Sequence, residues 1–247
     1  MEVALFVTCL TDTFYPRVGE AVVRVLRHFG CRVHFPADQT CCGQPAYNSG
    51  FHAEAATLVR RMTALFATSE CVVTPSASCA TMVKRHGPEL FADDPAAQAA
   101  ASRLAEKTWE FASFLRDVLH VDIAAHLGFD EPVTFHYPCH ARELYRLEDL
   151  QGWLGGGNGC DVRVPKHADV CCGFGGVFAV EFPEVSAAML GDKLAELSAT
   201  GAKLVICNEA ACALQMMGGA RRRGLPLRFK HLAECLAESL GLLEPQP

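Results

Sequence analysis

The chain has 247 residues, half of them apolar and a fifth charged, which is typical of a globular protein with a full core. Its net charge of −6 argues against nucleic-acid binding, because a nucleic-acid partner needs a basic face. Apolar runs are short and the first segment lacks a positive flank, so we expect no membrane span, no signal peptide and a cytoplasmic protein.

The first half of the chain predicts alternating strands and helices. An apolar, β-rich run opens it, and helical periodicity follows until Gly30, a residue favoured where helices end. An alanine-rich stretch at residues 93–101 is interpreted as a linker. The pattern predicts strands at residues 3–8, 32–36 and 71–75, and helices at residues 15–29, 51–68 and 107–119.

The second half repeats the same order of elements. Its pattern predicts strands at residues 132–137, 161–165, 203–207 and 227–229, and helices at residues 142–150, 184–199, 209–222 and 231–240. Strands that alternate with helices imply parallel sheets with right-handed crossovers. We therefore predict an α/β protein of two tandem, duplicated Rossmann-like parallel-sheet domains, at residues 1–125 and 126–247.

The cysteines carry the clearest sign of duplication. Thirteen cysteines are present, an odd number for a disulfide framework, in a compartment where disulfides rarely persist. In each half, 31 residues separate a lone cysteine from a Cys-Cys-Gly triplet, and a fourth cysteine follows after 36 or 39 residues. Such a repeat indicates a duplicated unit. The two sets are Cys9, Cys41, Cys42 and Cys79, and Cys139, Cys171, Cys172 and Cys212.

The position of these cysteines predicts two thiolate pockets. Ligands of an open parallel sheet bind at the carboxyl ends of its strands, where each set is expected to gather. Four thiolates suit a [4Fe–4S] cluster or a structural zinc ion. Adjacent cysteines can reach different irons of a cluster, and the tight C-x-x-C knuckles usual for zinc are absent. Iron–sulfur is favoured, while zinc in one or both pockets and metal-free redox thiols stay open.

Several neighbours of the second set are candidate extra ligands or supporting residues. His136 and His140 flank Cys139 and can ligate iron, donate hydrogen bonds to cluster sulfur or shuttle protons. Arg142 offers positive charge beside thiolates, and Cys207 offers a fifth ligand. The alternative is that these are ordinary polar or buried residues at strand ends. The glycine after each pair fits positive φ or close backbone approach to sulfur, and equally an ordinary turn.

These motifs resemble the cysteine-rich CCG-domain family, which includes the cysteine-rich component of heterodisulfide reductase and the iron–sulfur component of glycolate oxidase. The similarity is greatest to its short two-domain members in lactate utilisation. The segments that carry it are Pro-Ser-Ala-Ser-Cys at 75–79, His-Tyr-Pro-Cys-His at 136–140, Cys-Cys-Gly-Phe-Gly-Gly at 171–176 and His-Leu-Ala-Glu at 231–234.

The resemblance implies an electron-transfer subunit of a multi-subunit complex that oxidises L-lactate or a related 2-hydroxy acid such as glycolate. It implies a ferredoxin-like iron–sulfur subunit and a third small subunit as partners, and a component of an oxidoreductase complex rather than a stand-alone enzyme. One departure is important: neither Cys79 nor Cys212 begins a C-x-x-C pair. That favours conventional four-thiolate binding over a non-cubane cluster. A zinc-binding scaffold and a heterodisulfide-type reductase remain alternatives.

Overall fold

The structure of the protein is a computed structural model, which describes residues 1–155 and 159–246. The first copy of the repeat contains four short strands that alternate with helices. Its elements are β1 (Glu2–Leu5), α1 (Cys9–Phe14), α2 (Pro16–His28), β2 (Arg32–His34), α3 (Gln44–Asn48), α4 (His52–Leu65), β3 (Val72–Thr74), α5 (Ala77–Thr81), α6 (Gly87–Glu89), α7 (Pro95–Lys107), β4 (Thr108–Glu110), α8 (Phe111–Asp117) and α9 (Ile123–His126), with a π-helical turn at Met82–His86.

The second copy follows the same plan. Its elements are β5 (Val133–His136), α10 (Leu147–Gly155), α11 (Phe178–Glu181), α12 (Pro183–Ala199), β6 (Leu204–Cys207), α13 (Ala210–Arg222), β7 (Arg228–Lys230) and α14 (Leu232–Ser239), with a 3₁₀ turn at Cys139–Glu143. Among the described residues, no helix combines the length and apolar character that crossing a membrane requires.

Two parallel sheets confirm the duplicated α/β fold. The first has the strand order β2-β1-β3-β4, and the second has the order β5-β6-β7. Val162 adds one parallel bridge to Val133 on the outer side of β5, where β2 pairs with β1 in the first sheet. The inner strands β3 and β6 are buried along their whole length and rich in β-branched residues, as parallel strands covered on both faces require.

A continuous apolar core joins the two copies. It includes Leu26 from α2, Phe114 from α8, Phe135 from β5 and Leu236 from α14, each fully buried. The last helix, α14, packs against α2 of the first copy, and Arg17 pairs with Glu238 across that contact at 3.1 Å. The copies therefore share one interior, and the boundary near residue 125 stays a prediction.

Three expectations about local structure were wrong. Residues 93–101 are not a linker: most of them belong to α7, which begins at Pro95 and is capped by the Asp94 carboxylate, 3.0 Å from the Ala97 N–H. Alanine is the strongest helix former, so an alanine-rich stretch behind a capping aspartate favours a helix. The predicted helix at 107–119 instead contains the edge strand β4 and then α8. The predicted strand at 161–165 reduces to the single bridge at Val162.

The start of the second copy also differs from the prediction. The helix expected at 142–150 begins only at Leu147, because the chain first makes the 3₁₀ turn at Cys139–Glu143. That turn occupies the position that α1 has in the first copy. The lone cysteine therefore opens a turn of helix directly after the first strand in both copies.

Candidate metal centre

The two predicted cysteine sets face the same cavity, which has a volume of about 360 Å³ and lies between the copies. Each set reaches it from the carboxyl ends of its strands: the lone cysteine follows the first strand, the pair precedes α3 or α11, and the fourth lies on α5 or α13. The cysteines that line the cavity are Cys9, Cys41, Cys42, Cys79, Cys139, Cys171, Cys172 and Cys212. The sequence predicted two pockets, and the structure places both on one cavity.

Within each set, the thiols form a chain of contacts. In the first copy, Cys41 is hydrogen-bonded to Cys9 on one side and to Cys42 on the other, and Cys42 also contacts Cys79. The second copy repeats this order from Cys139 through Cys171 and Cys172 to Cys212. Four sulfur atoms in continuous contact can all bind one group of metal atoms.

In each set, the thiol that ionises is the first cysteine of the Cys-Cys pair. The S–H groups of Cys42 and Cys9 donate to the Cys41 sulfur and lower its pKa to about 3. The same contacts from Cys139 and Cys172 lower the pKa of Cys171 to about 2. The lone cysteine of each set shows the converse, because donating to the neighbouring thiolate and burial both raise the pKa of Cys9 and of Cys139.

The glycine after each pair is required by its backbone and its packing. Gly43 has φ +92° and Gly173 has φ +79°, values that side-chain-bearing residues rarely adopt. Their N–H groups lie 3.5 Å and 3.4 Å from the sulfurs of Cys41 and Cys171. A Cβ on Gly173 would lie only 2.6 Å from the Ser186 carbonyl oxygen on α12. Of the two interpretations left open by the sequence, positive φ with close approach is confirmed.

His136 lies against the second thiol set. One of its ring nitrogens and the sulfurs of Cys172 and Cys212 all lie within 4.8 Å of one another, and all three residues are buried. Among the described residues, neither nitrogen of His136 has a hydrogen-bond partner. Burial, together with the nearby Lys193 ammonium, holds the pKa of His136 well below its ordinary value, so the ring is neutral. A neutral imidazole beside thiols suits a transition-metal site.

The other three candidates lie at the edge of the second set. His140 Nε2 is 3.0 Å from Gln44 Nε2 of the first copy, and Nδ1 is 3.5 Å from the Cys139 sulfur. Arg142 donates to the Asp169 carbonyl, two residues before Cys171. Cys207 is buried outside the cavity lining, and its thiol donates to the Glu209 carbonyl at 3.2 Å. Their roles toward a metal remain predictions.

Sequence reasoning missed a buried polar contact between the copies at this cavity. The Glu209 carboxylate accepts hydrogen bonds from the Ser76 hydroxyl at 2.9 Å and from the Ser78 N–H at 2.8 Å. Ser76 and Glu209 both line the cavity and are almost completely buried. The signal was present, because each residue lies three positions before the fourth cysteine of its own set.

A second missed residue is Lys193, which is fully buried on α12. Its ammonium donates to the Ala168 carbonyl at 3.0 Å and lies close enough to Cys207, Cys172 and Cys212 to interact electrostatically with them. A buried ammonium needs negative charge nearby. Ionised thiolates of the second set, as in a metal-bound pocket, would supply that charge, and no pattern in the sequence distinguished this lysine from surface lysines.

Two thiol sets on duplicated parallel sheets define a tandem cysteine-rich protein, and comparison with known proteins agrees. The profile of the family described as "CCG: Cysteine-rich domain" matches residues 3–84 and 133–217. "Lactate utilization protein A" of Exiguobacterium sp. is 42% identical over 97% of this chain and 98% of its own length. The Geobacillus kaustophilus protein of that name is 43% identical over 96% and 98%. This chain therefore belongs to the cysteine-rich CCG-domain family, within the group of lactate utilization proteins A.

Among solved structures, a putative Asp/Glu racemase from Yersinia pestis aligns over 98% of both chains with 12% identity and a TM-score of 0.37. A likeness at that level supports no conclusion about function.

The donor set fits a metal centre. Thiolates are soft ligands that select iron–sulfur clusters, zinc or copper(I). Four contacting sulfurs per copy, a buried imidazole without a hydrogen-bond partner among the described residues and a buried ammonium together provide ligands and a compensating charge. The cysteine clusters are thus suited to bind metal or iron–sulfur groups.

Proposed function

We propose that this protein is a cytoplasmic iron–sulfur electron-transfer subunit of a complex that oxidises L-lactate or a related 2-hydroxy acid such as glycolate. The observation that carries the proposal is the convergence of two complete four-cysteine sets on one cavity. The relatives' names supply the metabolic context, because proteins about 40% identical over nearly their whole length are called lactate utilization protein A.

Each four-cysteine set would hold one cluster, and [4Fe–4S] matches the number of thiolates. When bound, such a cluster accepts and donates single electrons. The residues of the chain contribute ligands and surroundings: Cys41 and Cys171 are thiolates before any metal arrives, and the N–H groups of Gly43 and Gly173 approach their sulfurs. Hydrogen bonds to sulfur are one means by which a protein sets a cluster's potential.

The rim of the cavity supports a role within a complex. Val180 lines the cavity and is 79% exposed, and its neighbours Phe182 and Val185 are about half exposed. Exposed apolar groups clustered beside a functional opening mark contact surfaces. We propose that this apolar rim contacts the ferredoxin-like iron–sulfur subunit, and that a third small subunit completes the complex.

Metal analysis tests the iron–sulfur proposal. Anaerobically purified and reconstituted protein should contain about eight irons and eight sulfides per chain, four for each cluster. It should also give an EPR signal on reduction. Cys41→Ala and Cys171→Ala should each lower the iron content by about half. Cys31→Ala is the matched control, because Cys31 is buried outside the cavity. Reconstituted protein without iron would refute the proposal.

A co-purification experiment tests the partner. The double change Val180→Asp and Phe182→Ser should reduce capture of the co-expressed ferredoxin-like subunit, while iron content stays constant. Phe35→Ser is the control, since Phe35 is equally exposed but does not line the cavity. Equal capture by all variants would place the contact elsewhere.

Zinc in the second pocket is the competing candidate, and the compact group of His136, Cys172 and Cys212 favours it. Two thiolates and one imidazole are common zinc ligands. In that case elemental analysis of protein purified without reconstitution would give one zinc per chain, no visible chromophore from that pocket and at most four irons.

A further inference from the structure

The two pockets differ at one position that the duplication makes equivalent. His136 ends β5, and the residue 130 positions earlier is Phe6, just after β1. Phe6 is 1% exposed and packs edge-on against Phe66 with 5.8 Å between ring centroids. An apolar ring therefore closes the back of the first pocket. At the same place in the second pocket stands an imidazole.

The described surroundings of His136 provide no hydrogen-bond partner for either of its ring nitrogens. The side chain is 1% exposed, and among the described residues neither ring nitrogen is hydrogen-bonded. Leaving a buried polar group unsatisfied costs about 1–3 kcal/mol. An imidazole kept only for packing would be replaced by phenylalanine at lower cost, as Phe6 shows in the first copy.

Among the residues that the structure describes, five charged or titratable groups act on the ring or lie against it. Lys193 and Arg142 contribute positive charge, and Cys171, Cys172 and Cys212 contribute thiols. Lys193 already donates to the Ala168 carbonyl, and Arg142 to the Asp169 carbonyl. The sulfurs of Cys172 and Cys212 are the ligating atoms that lie within 4.8 Å of the ring nitrogen. A metal atom between these three ligands would satisfy the imidazole.

We propose that His136 is a metal ligand of the second pocket, so that imidazole and thiolate hold the group there, while thiolates alone hold the group in the first. The proposal rests on the proposed function only in that the pockets bind metal. It makes the two pockets unequal. An imidazole ligand brings no negative charge, unlike a thiolate ligand, and the buried Lys193 side chain lies near the same thiols, so the second pocket is reduced at a less negative potential than the first.

The first test uses the unaltered full-length protein. Pulsed EPR of the reduced, reconstituted chain, grown with ¹⁵N-histidine, is compared with the natural-abundance sample. The expected result is a nitrogen coupling of the size seen for directly bound histidine, assigned by its change on labelling. A spectrum with only the weak couplings of non-ligating nitrogen would overturn the proposal. This readout needs no variant and is therefore independent of any folding defect.

Two matched variants assign the nitrogen to one ring. His136→Phe copies the first pocket, and His140→Phe removes the other histidine beside Cys139. His136→Phe should abolish the coupling and lower the potential of one of two redox steps, leaving the other unchanged. His140→Phe should retain the coupling. Loss of the coupling in His140→Phe, with retention in His136→Phe, would assign the ligand to His140 and refute the proposal.

A third measurement separates the ligand from the iron–sulfur function. Metal-free protein is titrated anaerobically with Co²⁺, whose thiolate charge-transfer bands report binding directly. His136→Phe should weaken Co²⁺ binding to one of two sites by more than about 10- to 100-fold, the range typical when a residue that only supports a metal ligand is lost. If the wild type binds Co²⁺ in this way but never assembles iron, the proposed function fails and the ligand stands. Unchanged Co²⁺ affinity in His136→Phe overturns the ligand.

Discussion

In the metal-free protein, an alkylating reagent should react with the first cysteine of each Cys-Cys pair in preference to the more accessible lone cysteine of the same set. Cys9 and Cys139 are exposed, whereas Cys41 and Cys171 are half-buried. Accessibility alone directs iodoacetamide to the first two. Ionisation directs it to Cys41 and Cys171, because the thiolate is the nucleophile and these two thiols have lowered pKa values. The two effects oppose each other, so the site of labelling decides between them.

The magnitude follows from the pKa values. A free thiol of pKa about 8.5 is about 3% ionised at pH 7 and about 0.03% at pH 5. Cys41, with a pKa of about 3, is fully ionised throughout that range. Its lower basicity reduces its intrinsic reactivity by about 300-fold, for a Brønsted slope near 0.45 over about 5.5 units. Cys41 should thus react about tenfold more slowly than free cysteine at pH 7 and about tenfold faster at pH 5.

The assay is peptide mapping by mass spectrometry after brief iodoacetamide treatment at pH 5, 6, 7 and 8. Free cysteine in the same tube is the internal reference. Labelling at Cys41 and Cys171 should be nearly constant across the series, while the reference rises about tenfold per pH unit. Labelling that appears first at Cys9 and Cys139, and climbs with pH as the reference does, would refute the hydrogen-bonded arrangement of the thiols.

Three further changes test buried groups of the two copies. Burial raises the pKa of Glu110 to about 7, so its contribution to stability is full below pH about 4.5 and is lost as pH rises through 7. Glu110→Gln should therefore raise the free energy of unfolding at pH 8 by up to about 3 kcal/mol and make that free energy depend less on pH. The exposed control Glu106→Gln should do neither. Urea titrations at pH 5 and 8 measure both variants. Gly173→Ala should destabilise the protein by more than about 1–2 kcal/mol, the cost of a left-handed backbone alone, because the new Cβ would also clash with α12. A thermal melt that matches wild type would contradict this contact. Glu209→Ala removes the carboxylate acceptor of the buried Ser76 hydroxyl and of the partly buried Ser78 N–H, and it should cost up to about 3 kcal/mol in urea titrations. A cost below about 0.5 kcal/mol would mean that this contact does not hold the copies together.

Much of the fold could be predicted because the spacing of apolar residues along the sequence was regular in its longer elements. The strands β1, β3 and β6 are short apolar runs that end near cysteines, and the apolar residues of α2 recur at helical spacing. The failures fell where local and tertiary signals compete. β4 is a three-residue edge strand directly between two helices, too short to give a period of its own, and its pairing with β3 determines its conformation.

The candidate site was predictable in content but not in arrangement. Cysteine spacing identified the residues of each set, because each set is local to one copy. The orientation of the copies depends on contacts such as α14 against α2, which join positions more than 200 residues apart. Lys193 was missed for the same reason, since only tertiary packing makes a lysine on a helix fully buried.

The two copies place unlike side chains at equivalent positions of the cavity, which a symmetric pair of single copies could not do. Equivalent positions, three residues before the fourth cysteine, hold Ser76 in the first copy and Glu209 in the second, and the two meet across the cavity. A symmetric pair would place two carboxylates or two hydroxyls there. Two buried carboxylates would repel each other, and two hydroxyls would leave the Ser78 N–H without its carboxylate acceptor. Because the copies diverged after duplication, the first copy supplies the hydrogen-bond donors and the second supplies the carboxylate acceptor. The same divergence placed Phe6 next to the first thiol set and His136 next to the second. A shared cavity with two chemically different pockets is therefore a property of the joined chain, which neither copy could have alone.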